Sequence, residues 1–252
     1  MTSRRCGLRH AGRRIDLSVV IPALNAASAL PATLAGLTPL AGAGLAVEVV
    51  VVDGGSGDAT VAAAGAGGAR VVTAPRGRGR QLAAGAAAAA GRVLLFLHAD
   101  TRLDARALGE IPAFLGDPEA GGRAGYFRFA LDDDAPAARR LERWVARRCR
   151  WFVLPYGDQG LLINRTLYHD TGGFRPLPLM EDVELVRRLG RGRLVLLAGA
   201  AITSAERFRR NGYLRQSTRN LACLALYLLG VPTGPLARFY GSTRPPQPSV
   251  SA

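Results

Sequence analysis

Four short apolar runs divide the first hundred residues of the chain into a repeating strand–helix pattern. They are Leu17-Ser-Val-Val-Ile-Pro22, Val47-Glu-Val-Val-Val-Val-Asp53, Val71-Val-Thr73 and Val93-Leu-Leu-Phe-Leu-His98. Such runs are short, β-branched and nearly continuous in apolar character, which predicts strands buried on both faces. Between them lie an Ala/Leu-rich helical stretch over 27–41, a short helix through Ala64 that Asp58 caps, and a strong helix former over 81–90. Strands alternating with helices imply an α/β fold with a parallel central sheet covered on both sides. In open sheets of this kind ligands bind at the carboxyl ends of the strands, near a switch in strand order. The polar groups at those ends are Asn25, Asp53, His98 and Asp100.

The second half is less regular. It reads as a helix over 104–115, a strand over 124–130, and a basic helix over 135–150 in which Trp144 packs inward. A turn then leads into a strand within 157–164, followed by a helix over 181–189, a strand over 193–198 and a long helix over 211–230. The 181–189 helix carries acids in its first turn and Arg187 and Arg188 at its end, as the helix dipole favours. The length of 252 residues allows one large domain or two small ones. Residues 1–16, with Arg4, Arg5, Arg9, Arg13 and Arg14, read as a flexible basic tail, and the proline-rich end over 241–252 as a second tail.

Composition narrows the function. A hydrophobic fraction of 48% and a mean hydropathy of +0.11 exclude a disordered chain. All 33 basic residues are arginine; against 19 acids they leave a net charge of +14, which raises nucleic acid or a membrane surface as partners. Only 6% of residues are aromatic, so a base-stacking platform is poorly supported and no nucleic-acid partner is expected. Cys6, Cys149 and Cys223 lie far apart without metal-ligand spacing, which fits a reducing compartment. The N-terminal segment lacks the apolar core of a secretory signal, and no run reaches the roughly 18 apolar residues of a membrane span. A cytoplasmic protein is the expectation.

Two segments suggest chemistry by residue type. Val52-Asp53-Gly54-Gly55-Ser56-Gly57-Asp58 places a carboxylate at a strand end before a glycine turn, where Asp53 can accept from a base or ribose. An ordinary strand-to-helix turn would use the same residues. Phe96-Leu97-His98-Ala99-Asp100-Thr101 places a carboxylate after the fourth strand, where a hard cation and phosphates would explain it.

Ser18-Val-Val-Ile-Pro-Ala-Leu-Asn25, Val51-Val-Asp-Gly-Gly-Ser-Gly-Asp58 and Leu95-Phe-Leu-His-Ala-Asp100, in that order, resemble the family-2 glycosyltransferases of GT-A fold. Gly77-Arg-Gly-Arg-Gln81 with the later His-Ala-Asp-Thr is similar to a small bacterial subgroup, the radical-SAM/selenodomain-associated transferases 2. The likeness runs over about 17–240. It implies a single GT-A domain, with a nucleotide-binding half over 17–103 and an acceptor half over 104–240. It also implies transfer of a sugar from a nucleoside-diphosphate-sugar donor to an acceptor hydroxyl, inverting and assisted by Mg²⁺ or Mn²⁺.

The resemblance further implies roles for single residues. Donor contacts fall on Pro22, Asn25, Asp53, Gly54, Arg78, Arg80, Gln81 and Asp100, and a guanidinium fork suits diphosphate oxygens. The family's metal-binding DXD motif falls on His98-Ala99-Asp100, with histidine in place of the first aspartate, so Asp100 and His98 are the metal candidates. Met180-Glu181-Asp182-Val183-Glu184-Leu185 matches the family's "ED" motif, with Asp182 the base and Glu181 the alternate. Gly157-Asp158-Gln159-Gly160 resembles the acceptor-side segment, where Asp158 or Gln159 would bind a sugar hydroxyl, although a β-turn uses the same residues.

The last long helix carries Leu221-Ala-Cys-Leu-Ala-Leu-Tyr-Leu-Leu229, which can either close the core or lie on a membrane and recruit a lipid-linked acceptor. The inner face of the plasma membrane is then a place of peripheral contact. A sugar nucleotidyltransferase and a basic nucleic-acid-binding module are the alternatives. The first normally shows a glycine-rich loop after its first strand, which Pro22-Ala-Leu-Asn25 does not supply.

Overall fold

In the computed structural model the described residues are 14–240. Residues 1–13 and 241–252, which hold most of the two expected tails, lie outside them. Ile15 and Asp16 are already tied to the fold: Asp16 exchanges hydrogen bonds with Ala46, and Arg92 N donates to Ile15 O.

One eight-stranded sheet runs through the domain. Its strands are β1 (Leu17–Ala23), β2 (Val47–Asp53), β3 (Arg70–Thr73), β4 (Val93–Phe96), β5 (Thr101–Leu103), β6 (Ala124–Leu131), β7 (Leu161–Asn164) and β8 (Leu194–Thr203). Their order is β3-β2-β1-β4-β7-β6-β8-β5. The expected parallel arrangement holds for β3-β2-β1-β4 and for β6-β8. In the second half β7 runs antiparallel to both neighbours, and β5 antiparallel to β8, so the sheet is mostly parallel rather than wholly so. The chain leaves β1 toward β2 and β3, then returns to β4 on the other side of β1. That reversal opens a crevice at the carboxyl ends of β1 and β4.

Alternation within each strand explains the continuous apolar runs. Leu17, Val19 and Ile21 of β1 enter one core while Val20 enters the other. Val93 and Leu95 of β4 face the first core, and Leu94 and Phe96 the second. The first face is covered by α1 (Leu30–Ala35), α2 (Thr38–Gly42) and α5 (Ala105–Gly116). The second is covered by α4 (Arg78–Ala88), α7 (Arg165–Asp170) and α8 (Glu181–Leu189). Helix α4 lies directly on the sheet at Gly85, where a Cβ would overlap Val20 and sit 2.7 Å from Val52 Cγ2.

Several helices differ from the sequence reading for identifiable reasons. The 27–41 stretch divides into α1 and α2, because Pro39 has no N–H and its ring would clash with a preceding helical turn. Helix α3 (Thr60–Ala66) has Ala59 rather than Asp58 at its N-cap. Asp58 instead accepts from Thr60 N and from Ala27 N, joining two loops. The long helix expected over 211–230 is α10 (Tyr213–Leu228), which starts after Gly212 with φ of 81°; α9 (Glu206–Asn211), not expected from the sequence, precedes it, and α11 (Thr233–Tyr240) follows. Trp144 on α6 (Pro136–Phe152) does not pack inward. It points to solvent, and Ala138, Val145 and Cys149 form the buried stripe instead.

Candidate active site

The loops after β1 and β2 lock into each other. Asp53, buried at the end of β2, accepts from Gly55 N (3.0 Å), Ser56 N and Ser56 Oγ (2.5 Å), which folds its loop into a tight ring of donors. Asn25 takes a left-handed conformation, φ 50°, a region that Asn tolerates. Its Oδ1 accepts from Gly57 N and its own N–H donates to Ser56 Oγ, both at 2.9 Å. Gln81, buried on α4, donates from Nε2 to Ala23 O and Val52 O at 2.8 Å. It therefore ties the ends of β1 and β2 together, and a Cβ on Gly54 would sit 2.9 Å from that Nε2. Pro22 lies one residue inside the end of β1.

The first turn of α4 brings two arginines with different fates. Arg80 is exposed. Arg78 instead turns to α8, where its Nε donates to Glu181 Oε1 and its Nη2 lies 3.7 Å from Asp182 Oδ2. Burial works against the Arg78 charge, but Glu181 and then Asp182 outweigh it and raise its pKa further. Glu181 is fully buried, and its second oxygen has no hydrogen-bond partner among the described residues. Burial pushes its pKa up against the opposing pull of Arg78. Met180 precedes α8 in a left-handed conformation, φ 63°, costly for a residue with a long side chain. That backbone places Glu181 and Asp182 side by side at the helix start.

Asp182 is aimed by two main-chain donors: Gly157 N to Oδ2 at 2.7 Å and Val183 N to Oδ1 at 2.8 Å. The turn at Gly157–Gln159 is the meeting point of the two halves. A Cβ on Gly157 would lie 2.9 Å from His98 Nε2 and 3.2 Å from Asp182 Oδ2. Only glycine leaves those groups room to face the same space, and Arg78, His98, Tyr156, Gly157, Glu181 and Asp182 line one cleft. His98 and Asp100 belong to one turn, closed by Thr101 N donating to His98 O. Burial, then the Arg78 charge, lowers the His98 pKa to about 4, so its imidazole is neutral. Asp100 is exposed, with Oδ1 3.5 Å from Thr203 Oγ1.

The acceptor-side pair separates in the structure. Gln159 is buried with both ends engaged: Nε2 donates to Phe127 O, while Oε1 accepts from Arg148 Nη2 and Tyr156 N. It holds the turn in place rather than offering a free polar group. Asp158 Oδ1 is buried without a hydrogen-bond partner among the described residues, and burial lifts its pKa to about 6, against Arg148. Among the described residues no three or more His, Cys, Asp or Glu side chains converge as a metal cluster. His98 and Asp100 offer one imidazole and one carboxylate, a donor set that suits a divalent cation taking its other oxygens from phosphate and water. Residues that the sequence reading passed over also enter the site. Gly157 is one. Arg148 is another, its guanidinium 3.5 Å over the Tyr156 ring. A third is Arg207 on α9, whose charge also bears on His98. An arginine in a chain so rich in arginine carries no local signal of such a role.

The sequence matches the model for Glycosyl transferase family 2 over residues 18–178. The chain belongs to glycosyl transferase family 2. It is therefore a glycosyltransferase, drawing its sugar from a nucleotide-sugar donor. No curated protein sequence matches it. Solved structures with the same fold include a mycobacterial protein, 24% identical, covering 86% of this chain and 76% of that one with a TM-score of 0.57. Glucosyl-3-phosphoglycerate synthase from Mycobacterium tuberculosis, in complex with Mn²⁺, UDP-glucose and phosphoglyceric acid, is 23% identical over 86% of this chain and 81% of its own (TM-score 0.58). S. aureus TarS, residues 1–349, is 18% identical over 84% of this chain and 66% of its own (TM-score 0.59). The α/β fold with its mostly parallel sheet is shared with these structures and is the GT-A fold of family 2.

Proposed function

We propose that this family-2 enzyme moves a sugar from a nucleoside-diphosphate donor to an acceptor hydroxyl with inversion, and that Asp182 is the base. One observation carries the reading: His98 of the first half and Asp182 of the second face one space across Gly157. A single displacement needs the leaving diphosphate on one side of the anomeric carbon and a base on the other, and a site shared by the two halves supplies both.

In this reading residues 17–103 bind the donor and 104–240 the acceptor. The nucleoside lies against the loops of Pro22, Asn25, Asp53 and Gly54, which Gln81 holds in register. Arg80 is free to meet phosphate oxygens, and Arg78 orients Glu181 and Asp182 from the donor side. Asp182, fixed by the Gly157 and Val183 N–H groups, accepts the proton of the attacking hydroxyl. Asp158 binds that hydroxyl or its neighbour, and Gln159 positions the turn. His98 and Asp100 would hold Mg²⁺ or Mn²⁺, which when bound supplies neutralisation of charge on the departing diphosphate. The cation in the complex of the similar synthase supports this choice. The reading extends to the bacterial radical-SAM/selenodomain-associated subgroup, to a cytoplasmic enzyme and to a lipid-linked acceptor at the inner face of the plasma membrane.

The test is a thermal-shift screen of UDP-, GDP- and dTDP-sugars with and without Mn²⁺. UDP-sugars come first because similar structures carry UDP. One donor should raise the Tm in the presence of Mn²⁺ and lose that effect in Asp100→Ala. No stabilisation by any nucleotide sugar would remove the proposal.

A further inference from the structure

The domain exposes its large apolar side chains in one region. Of eleven such residues among those described, nine lie on α6 or within α10, α11 and the link between them; Val61 and Leu196 are the exceptions. On α10 the residues Leu214, Leu221 and Leu228 recur every seven positions, exposed by 79%, 64% and 50%. They form a stripe about 20 Å long, opposite the buried Gln216 and Cys223. On α6 Trp144 and Trp151, also seven apart, are 63% and 62% exposed, with the Arg147 guanidinium 5.7 Å over the Trp144 ring. The two helices are neighbours, sharing contacts around Tyr213, Val145 and Cys149.

Charge decides what such a face meets. Residues 213–240 contain no acid, and α6 carries six arginines against Glu142, which is already bonded to Arg139 and Leu131 N. Arg140, Arg143, Arg147 and Arg150 are exposed beside the tryptophans. Packed on a second copy of the chain, this face would set arginine against arginine with no carboxylate between them. An anionic bilayer offers the opposite: phosphates for the guanidinium groups, and an interface where tryptophan and leucine leave water.

We propose that α6 and the α10–α11 segment dock the enzyme on an anionic phospholipid surface. The placement suits the acceptor half. Helix α6 leads directly into the Tyr156–Asp158 turn, and Cys223, Leu224 and Leu236 pack against Val183 and Val186 of α8, the helix that begins with Glu181 and Asp182. A docked enzyme thus holds its acceptor side close to the lipid. This surface rests on the lipid-linked part of the reading above and not on the donor chemistry.

The test uses the full chain with vesicles of phosphatidylglycerol and phosphatidylcholine, and with phosphatidylcholine alone. Trp144 and Trp151 are the chain's two tryptophans, so wild-type emission itself reports insertion. It should shift to the blue with anionic vesicles, which should also bind at least about tenfold more tightly than neutral ones, from two or more arginines in contact. Trp151→Ser with Leu221→Ser should weaken sedimentation with anionic vesicles by at least about tenfold, and each of Arg147→Gln and Arg150→Gln roughly fivefold. Leu196→Ser, an exposed apolar residue elsewhere, should leave it unchanged. No blue shift, equal binding to both vesicles, or equal loss in Leu196→Ser would overturn the proposal. So would a dimer in solution that Leu214→Ser with Leu221→Ser converts to monomer. Vesicle binding without stabilisation by any nucleotide sugar would leave this surface standing and remove only the transfer reading.

Discussion

Replacing Asp158 by asparagine should make the protein more stable and the enzyme slower. The Asp158 pKa moves from 3.8 to about 6, chiefly because the carboxylate is buried, with Arg148 opposing the shift and Asp182 adding to it. A carboxylate with a raised native pKa binds its proton more tightly folded than unfolded. Stability is therefore greatest below the unfolded value and declines as pH climbs through about 6. At 1.36 kcal/mol per pKa unit the decline is about 3 kcal/mol at most, fully developed above neutral pH. A side-chain amide cannot ionise, so the variant should escape it. Urea unfolding of both proteins at pH 4 and pH 7.5 isolates the effect, since titrating groups not coupled to Asp158 cancel in the difference. The advantage of Asp158→Asn should grow by about 2–3 kcal/mol between the two, equal to roughly 4–12 °C in Tm. Nucleotide release at pH 7.5 should fall in the same variant. A gap that does not change with pH would refute the argument, because it would mean that the carboxylate is solvated or paired in the native state.

Other residues give sharper single readouts. Asp182→Asn should lower nucleotide release by about 10²–10⁴-fold, the range for a lost general base, with donor affinity within about twofold of wild type by calorimetry. Gly157→Ala inserts a methyl group between His98 Nε2 and Asp182 Oδ2; kcat should fall on the order of a hundredfold with little change in Tm. Arg78→Gln strips Glu181 of its partner and should cost about 3 kcal/mol in urea unfolding, because one buried charge is left alone. Gly85→Ala drives a methyl group into Val20 and Val52 and should cost about 1–3 kcal/mol with activity per folded molecule unchanged.

The first half of the fold could be read from the chain because its signal is local. A strand whose alternate residues feed two cores must be nearly all apolar, and β1, β2 and β4 are, with Ser18, Glu48 and Asp53 the polar exceptions. The errors lie where a single residue interrupts a strong pattern. Pro39 divides a stretch read as one helix, and Gly212 separates α10 from the short α9 that the sequence reading did not include. Strand β5 has three residues and takes its place only by pairing with β8, about a hundred residues away, so no local period marks it. Helix α11 opens with Thr233, Gly234 and Pro235, of which the last two read as punctuation.

The site separates along the same line. Asp53 and Asp100 stand out because scarce carboxylates follow strands there, and Asp182 because its segment resembles a family motif. Their partners were not recognisable, because a contact such as Arg78 with Glu181 spans 103 residues of sequence. Gln81 and Gln159 illustrate the limit: both Gln81 hydrogen bonds and the one Gln159 donates go to main-chain carbonyls, whose positions no residue type encodes. The surplus of positive charge divides the same way once partners are known. Arg78 and Arg188 are absorbed by Glu181 and Glu184, and Arg148 by Gln159 and the Tyr156 ring. Four exposed arginines, Arg140, Arg143, Arg147 and Arg150, lie on α6 with the two exposed tryptophans, where charge alone suggested nucleic acid. Trp144 and Trp151, seven positions apart on one helix, stand about 10 Å apart along its axis, too far to stack successive bases. On the proposals above, the arginine excess bears on where the enzyme sits, and the few carboxylates bear on what it does there.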